Sequence, residues 1–205
     1  MKKSQENEFI VGIMGEKNVG KTAIFNRICD NKFEQEYSPS TFPSLRIKVI
    51  QNAILNIWDT GSENDFKGRK KLYSDGIDGI ILVFDLTNSN TFMTLGKWLK
   101  EINEYENLEK TIIIIVGNKS DLKLKRQVQT ETILEYFKKL KKVIIETSAK
   151  ENKKIELLEA TLIHKMKKNR SSNLQFFKTF QESSLKQKKV QQNREEKTAY
   201  IWGNT

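Results

Sequence analysis

Eight consecutive residues, Gly15-Glu16-Lys17-Asn18-Val19-Gly20-Lys21-Thr22, carry the most specific chemistry in the chain. They fit the spacing of a phosphate-binding loop, G-x-x-x-x-G-K-[ST]. The glycines let the backbone curl, so that successive N–H groups and the N-terminus of the next helix point at phosphate oxygens. Lys21 then reaches the β and γ phosphates, and the Thr22 hydroxyl binds Mg²⁺. The phosphate-binding set is therefore Gly15, Asn18, Val19, Gly20, Lys21, Thr22 and Ala23. Two further strings bear on the base: Asn118-Lys119-Ser120-Asp121 and Thr147-Ser148-Ala149-Lys150. The Asp121 carboxylate accepts two hydrogen bonds from the N1–H and amino group of guanine, a donor pair that adenine lacks. Asp121 and the Ser148-Ala149-Lys150 string thus argue against an ATPase.

Such groups must be presented by a scaffold, and the apolar pattern supplies one. Phe9–Met14 precedes the phosphate loop as a buried strand, and Ala23–Ile28 follows it with helical spacing. Leu45–Ile50 and Ala53–Trp58 are two short strands around Gln51-Asn52, a tight hairpin. Ile80–Phe84 and Ile112–Val116 are continuous apolar runs, as in strands covered on both faces. Thr91–Glu109, Thr130–Lys142 and Lys153–Lys168 read as helices, and Val143–Ile145 as a last strand. Strands alternating with helices imply crossover connections, and so an α/β fold with a mostly parallel six-stranded sheet and helices on both faces. Each motif lies at the carboxyl end of a strand, where such sheets bind ligands. Trp58 and Trp98 read as packing residues.

The chain of 205 residues suits one α/β domain with a full core plus a tail. The boundaries read as an N-terminal extension 1–8, a nucleotide-binding domain 9–168 and a basic tail 169–205. Of the net charge of +10, most belongs to the C-terminal stretch: residues 165–205 hold ten Lys and Arg against three Asp and Glu. That charge comes with no nucleic-acid-binding module, which makes nucleic acid an unlikely partner. The single cysteine, Cys29, rules out an intrachain disulfide and suits a reducing, cytoplasmic setting. No stretch reads as a signal peptide or a membrane span.

Taken together, the phosphate loop, Asn118-Lys119-Ser120-Asp121 and Thr147-Ser148-Ala149-Lys150 resemble a small GTPase of the Ras superfamily over roughly residues 8–168. Ile57-Trp58-Asp59-Thr60, Tyr73, Gly79, the run Phe84 to Phe92 and Trp98-Leu99 are similar to the Rab branch. The resemblance implies a P-loop NTPase fold with GTP or GDP and Mg²⁺ as cofactors. It implies that Asn118 and Lys119 brace the loop and the base, that the Ala149 N–H meets the guanine carbonyl, and that Phe33 lies against the base. Asp59 would hold Mg²⁺ through water, and residues 34–44 and 61–75 would be the switch loops that meet effectors. Aligning on Phe33 and Tyr37 puts Ser40 at the switch hydroxyl that binds Mg²⁺, with Thr41 beside it; either can serve.

Three departures qualify the resemblance. The family has Gly two residues after Thr60 and then a Gln that orients water; here Ser62 and Glu63 stand there. A carboxylate at 63 offers no amide N–H and is repelled by phosphates, so hydrolysis by Lys21 and Glu63 is expected to be slow. Lys17 stands where small residues are usual and crowds an arginine finger. The last residues, Tyr200 to Thr205, carry no cysteine, so a prenyl anchor is not expected. Leu174, Phe177, Phe180 or Gln181, and Leu185 in the tail could form one face of a helix for a partner's groove or, weakly, an anionic membrane, the plain alternative being a solvated, disordered basic tail. Two functions compete: a slow switch in vesicular transport, or a nucleotide-locked subunit of a cytoskeletal or ciliary assembly held through the tail.

Overall fold

The structure is a computed structural model that describes residues 7–35, 43–60, 76–104, 110–138 and 142–172. Among the described residues six strands form one sheet: β1 (Glu8–Gly15), β2 (Ser44–Ile50), β3 (Ala53–Asp59), β4 (Gly79–Asp85), β5 (Ile112–Asn118) and β6 (Val143–Glu146). Their order across the sheet is β2-β3-β1-β4-β5-β6. Of these six, β2 alone runs antiparallel to its neighbour, paired with β3 from Ser44 opposite Asp59 to Ile50 opposite Ala53. The hairpin between them turns on Gln51 and Asn52, whose φ values of 48° and 58° suit a two-residue turn with both central residues left-handed.

Helices cover both faces. On one, α1 (Lys21–Asp30) presents Ile24, Phe25 and Ile28, and residues 155–166 present Ile155, Leu158, Leu162 and Met166 to Val11, Ile13, Ile81 and Val116. On the other, α2 (Ser89–Met93), α3 (Leu95–Asn103) and α4 (Thr130–Lys138) bring Phe92, Leu95, Trp98, Ile102, Ile133 and Phe137 onto Met14, Leu82 and Ile115. Every residue of β4 is buried, as its continuous apolar pattern requires. The chain divides into two compact units, Met1–Met166 and Lys167–Thr205; of the second, 167–172 are described, and they are helical.

The helix expected over Thr130–Lys142 is α4, Thr130–Lys138, with 139–141 outside the described residues and Lys142 no longer helical, and two further helices differ from the sequence expectation. The single helix from Thr91 to Glu109 is split at Thr94, and residues 105–109 lie outside the described set. Thr94 donates its hydroxyl back to the Thr91 carbonyl at 3.0 Å, and the Lys97 N–H reaches the Thr94 carbonyl at 2.9 Å. That local back-bonding tightens one turn and interrupts the ladder. The last helix begins at 155 rather than 153, because Ser148 and Lys153 exchange backbone hydrogen bonds at 3.2 and 2.9 Å and pin Lys153 in the loop. The tail residues singled out above, from Leu174 onward, lie outside the described residues.

Cys29 sits half-buried in α1. Burial pushes its thiol up to about 11, with Arg46 and Lys48 pulling the other way. At pH 8 only about one thiol in a thousand is ionised, so alkylation by iodoacetamide should be at least about tenfold slower in the folded chain than in urea. Equal rates in the two states, followed by mass spectrometry, would contradict this placement.

Candidate functional site

The phosphate loop is shaped by two close approaches. Gly15 has φ 136°, and a Cβ there would run into the Val83 carbonyl of β4; Gly20 has φ 94°, and a Cβ there would meet the Asn118 amide. Both positions therefore demand glycine on steric and conformational grounds. Asn18 also turns left-handed, with φ 65°, and with Lys17 it is exposed, while Val19 is buried. Lys21 is buried and folds back over the loop, its Nζ donating to the carbonyls of Gly15 at 3.0 Å and Glu16 at 2.8 Å. The Thr22 hydroxyl donates to Asp59 Oδ2 at 2.6 Å, joining the start of α1 to the end of β3. A hydroxyl and a buried carboxylate meeting at the mouth of a curled loop are hard oxygen donors, which fit Mg²⁺.

The base strings converge on the same loop. Asn118 donates from Nδ2 to the Val19 carbonyl at 3.0 Å, and its Oδ1 accepts from the Ala149 N–H at 3.2 Å and the Thr147 hydroxyl at 3.3 Å. Lys119 donates from Nζ to the Asn18 carbonyl at 2.8 Å and pairs with Asp85 Oδ2 at 2.7 Å. Asp121 accepts from the Ser148 hydroxyl at 2.6 Å through Oδ1. Gly20, Ala23, Phe33, Asn118, Lys119, Asp121, Leu122, Ala149 and Lys150 enclose a cavity of about 200 Å³. Its walls are an aromatic ring, a lysine stem and backbone, with a carboxylate at one edge, a set that fits a flat base carrying donors.

Most of the sequence-selected residues are thus brought together. The exception in detail is the Ala149 N–H, expected at a guanine carbonyl, which here is engaged by Asn118, the acceptor that satisfies this buried donor. Ser40, Thr41 and Glu63 lie outside the described residues. Sequence reasoning missed Asp85, which anchors Lys119, and Glu16, whose carboxylate accepts from the Trp98 indole N–H at 3.2 Å. Trp98 does pack, at 5% exposure, but it also ties α3 to the phosphate loop. Contacts across 82 residues leave no local spacing to read.

A curled lysine-bearing loop, a hydroxyl–carboxylate pair and a base cavity with one acid at its edge define a P-loop protein that binds a guanine nucleotide. Comparison with known proteins agrees: residues 10–168 match the Ras family. Ras-related protein RabC of Dictyostelium discoideum is 36% identical over 146 residues, covering 68% of this chain and 74% of that protein. The chain belongs to the Ras family and is a Rab-like small GTPase. Members of this family bind GTP and GDP with Mg²⁺, hydrolyse GTP and engage effectors, and the Rab branch serves vesicle traffic. Among the described residues no helix is long and apolar enough to cross a membrane.

The strand that carries the second base string ends in an ion pair. Arg126 forks onto Glu146 at 2.6 and 2.9 Å, and Thr130 adds a hydrogen bond at 2.8 Å. The Arg126 fork, with the Thr130 hydroxyl assisting, holds the Glu146 carboxyl below the usual carboxylate range. A depressed acid stabilises the fold above its unfolded pKa, and that contribution disappears as pH falls through its folded value. Glu146→Gln should cost about 1 kcal/mol at pH 7 for this partly exposed pair, with the gap closing below about pH 4. Urea unfolding at both pH values measures this; a gap that persists in acid would contradict the pairing.

Proposed function

We propose that the chain is a Rab-like switch of vesicular transport that holds its guanine nucleotide firmly and hydrolyses GTP slowly. The observation that carries nucleotide binding is the meeting of Thr22 with Asp59 beside Lys21, within one loop of the base cavity. Slow turnover rests on Glu63, which stands where the family has its water-orienting Gln, and on exposed Lys17 in the phosphate loop.

In this reading Gly15, Asn18, Val19, Gly20 and Ala23 offer backbone N–H groups to the phosphates, and Lys21 neutralises their charge. Thr22 and Asp59 would hold Mg²⁺, joined by Ser40 or Thr41, and the metal, when bound, supplies further charge neutralisation on the phosphate oxygens. Asp121 reads the guanine donors, while Phe33, Lys119, Ala149 and Lys150 flank the ring and Asn118 and Ser148 hold the readers in place. Glu63 is the poorest hydrolytic group of the set, because its carboxylate repels phosphate and orients water less well than an amide. Effectors would meet the two switch loops, and the basic tail 169–205 would dock an assembly protein or rest weakly on an anionic membrane. Cytoplasmic protein that visits membranes follows from that set of partners. The Gly61-Ser62-Glu63 string also favours a second reading, a subunit kept in one nucleotide state inside a cytoskeletal or ciliary assembly.

Single-turnover hydrolysis separates them. Protein loaded with GTP should turn over slowly but measurably, and Glu63→Gln should raise the rate by about tenfold. Wild-type hydrolysis at the pace of an ordinary Rab would sink the slow-switch reading, whereas GTP retained without turnover would favour the locked subunit. Asp121→Asn should weaken GDP by about a hundredfold and favour a xanthine nucleotide, since an amide presents a donor to the base where the acid presents an acceptor. Unchanged GDP affinity in a displacement assay would move the base site elsewhere.

A further inference from the structure

Arg27 belongs to α1, and the reading above gives it no role. It lies half-buried near the helix C-terminus, six residues after Lys21 and about 9 Å along the axis from it. Its Nε donates to the Ala149 carbonyl at 2.6 Å, one terminal nitrogen to the Lys150 carbonyl at 2.9 Å, and the other to the Asn31 carbonyl at 2.9 Å. Its guanidinium carbon lies 5.8 Å from the centroid of the Phe33 ring. Ala149, Lys150 and Phe33 are three of the residues that line the base cavity. No carboxylate among the described residues pairs with Arg27, so its donors are spent on backbone carbonyls and its cation on an aromatic face.

We propose that Arg27 is the positioning residue of the base pocket. It fixes the Ala149–Lys150 turn and the Phe33 ring to the helix whose first turn bears Lys21 and Thr22. Base wall and phosphate loop then move as one body, and a bound guanine nucleotide leaves slowly because neither can open alone. The inference rests on the assignment of this cavity to guanine. The apolar residues of α1, Ile24, Phe25 and Ile28, carry its packing, so Arg27 is free for this task. The planar fork matters: a lysine presents a point charge and cannot span two successive carbonyls and stack on a ring at once. Asp121 is held separately, by Ser148. Arg27 therefore governs how tightly the ring is gripped, and leaves untouched the reading of its 2-amino group.

The test uses the full chain with a fluorescent GDP, its release followed after mixing with excess unlabelled GDP. Arg27→Ala should speed release by about tenfold, and Arg27→Lys should restore less than half of that change on a logarithmic scale. The preference for GDP over IDP, which lacks the 2-amino group, should stay within about twofold of wild type. Hydrogen exchange of the nucleotide-loaded protein should rise in residues 147–152 and stay unchanged in β1 and β4. Wild-type release rates in both variants would overturn the proposal. So would exchange rising equally in β1 and β4, the mark of a merely structural role. A fault in the cavity assignment shows itself differently: wild-type protein that binds no fluorescent GDP, or Asp121→Asn that keeps the full GDP preference, overturns both.

Discussion

One side-chain amide makes this site. Asn118 stands at the end of the β5 strand, yet its two polar atoms serve loops that lie 99 residues before it and 31 after. Its NH₂ group satisfies the Val19 carbonyl inside the phosphate loop, while its oxygen satisfies a buried N–H at Ala149 and the Thr147 hydroxyl. In a dry interior such bonds are strong, and each would be expensive to leave unmade. Gly20 is the steric counterpart, since only a residue without Cβ lets the amide come that close. Phosphate recognition and base recognition thereby share one rigid part, and the remaining hydrogen bonds of the site elaborate that junction.

The sheet supplies the rigidity on which the amide depends. β1, β4 and β5 lie side by side in parallel register, and their carboxyl ends deliver Gly15, Asp85 and Asn118 to one edge. Both faces are sealed by apolar side chains, so these strand ends cannot shift without disturbing two cores at once. Gly15 lies so close to the Val83 carbonyl that no side chain fits where the phosphate loop leaves the sheet. The electrostatic groups then need few supports of their own. Lys119 is held by Asp85 and by the phosphate-loop carbonyl of Asn18, and Lys21 by the carbonyls it arches over.

Much of this arrangement could be read before any coordinates. Continuous apolar runs announce strands sealed on both faces, because no other short element buries every residue, and the structure has strands at each of them. The three motifs are legible because each is a local string whose spacing reflects backbone geometry. What escaped notice lies elsewhere. Arg27 meets Ala149 across 122 residues and Trp98 meets Glu16 across 82, and long-range pairings of that kind leave no periodicity behind. The break at Thr94 and the late start of the last helix came from side-chain and bridge hydrogen bonds that compete with the helical ladder, which apolar spacing does not encode. Ser40, Thr41 and Glu63 rest on sequence alone.

The strand order has a consequence for how the chain comes into being. β1 is made first yet ends in the middle of the sheet, between β3 and β4. Its buried residues, Phe9, Val11, Ile13 and Met14, have no neighbouring strand until Asp59 has been made, and none on the other side until Asp85. At ribosomal speeds of roughly 5–20 residues per second, the central strand waits several seconds with its apolar surface uncovered. The nascent chain thus passes through an interval in which a strand destined for the core is still exposed, and shielding by the ribosome surface or a chaperone is the natural complement of a sheet built from the inside out.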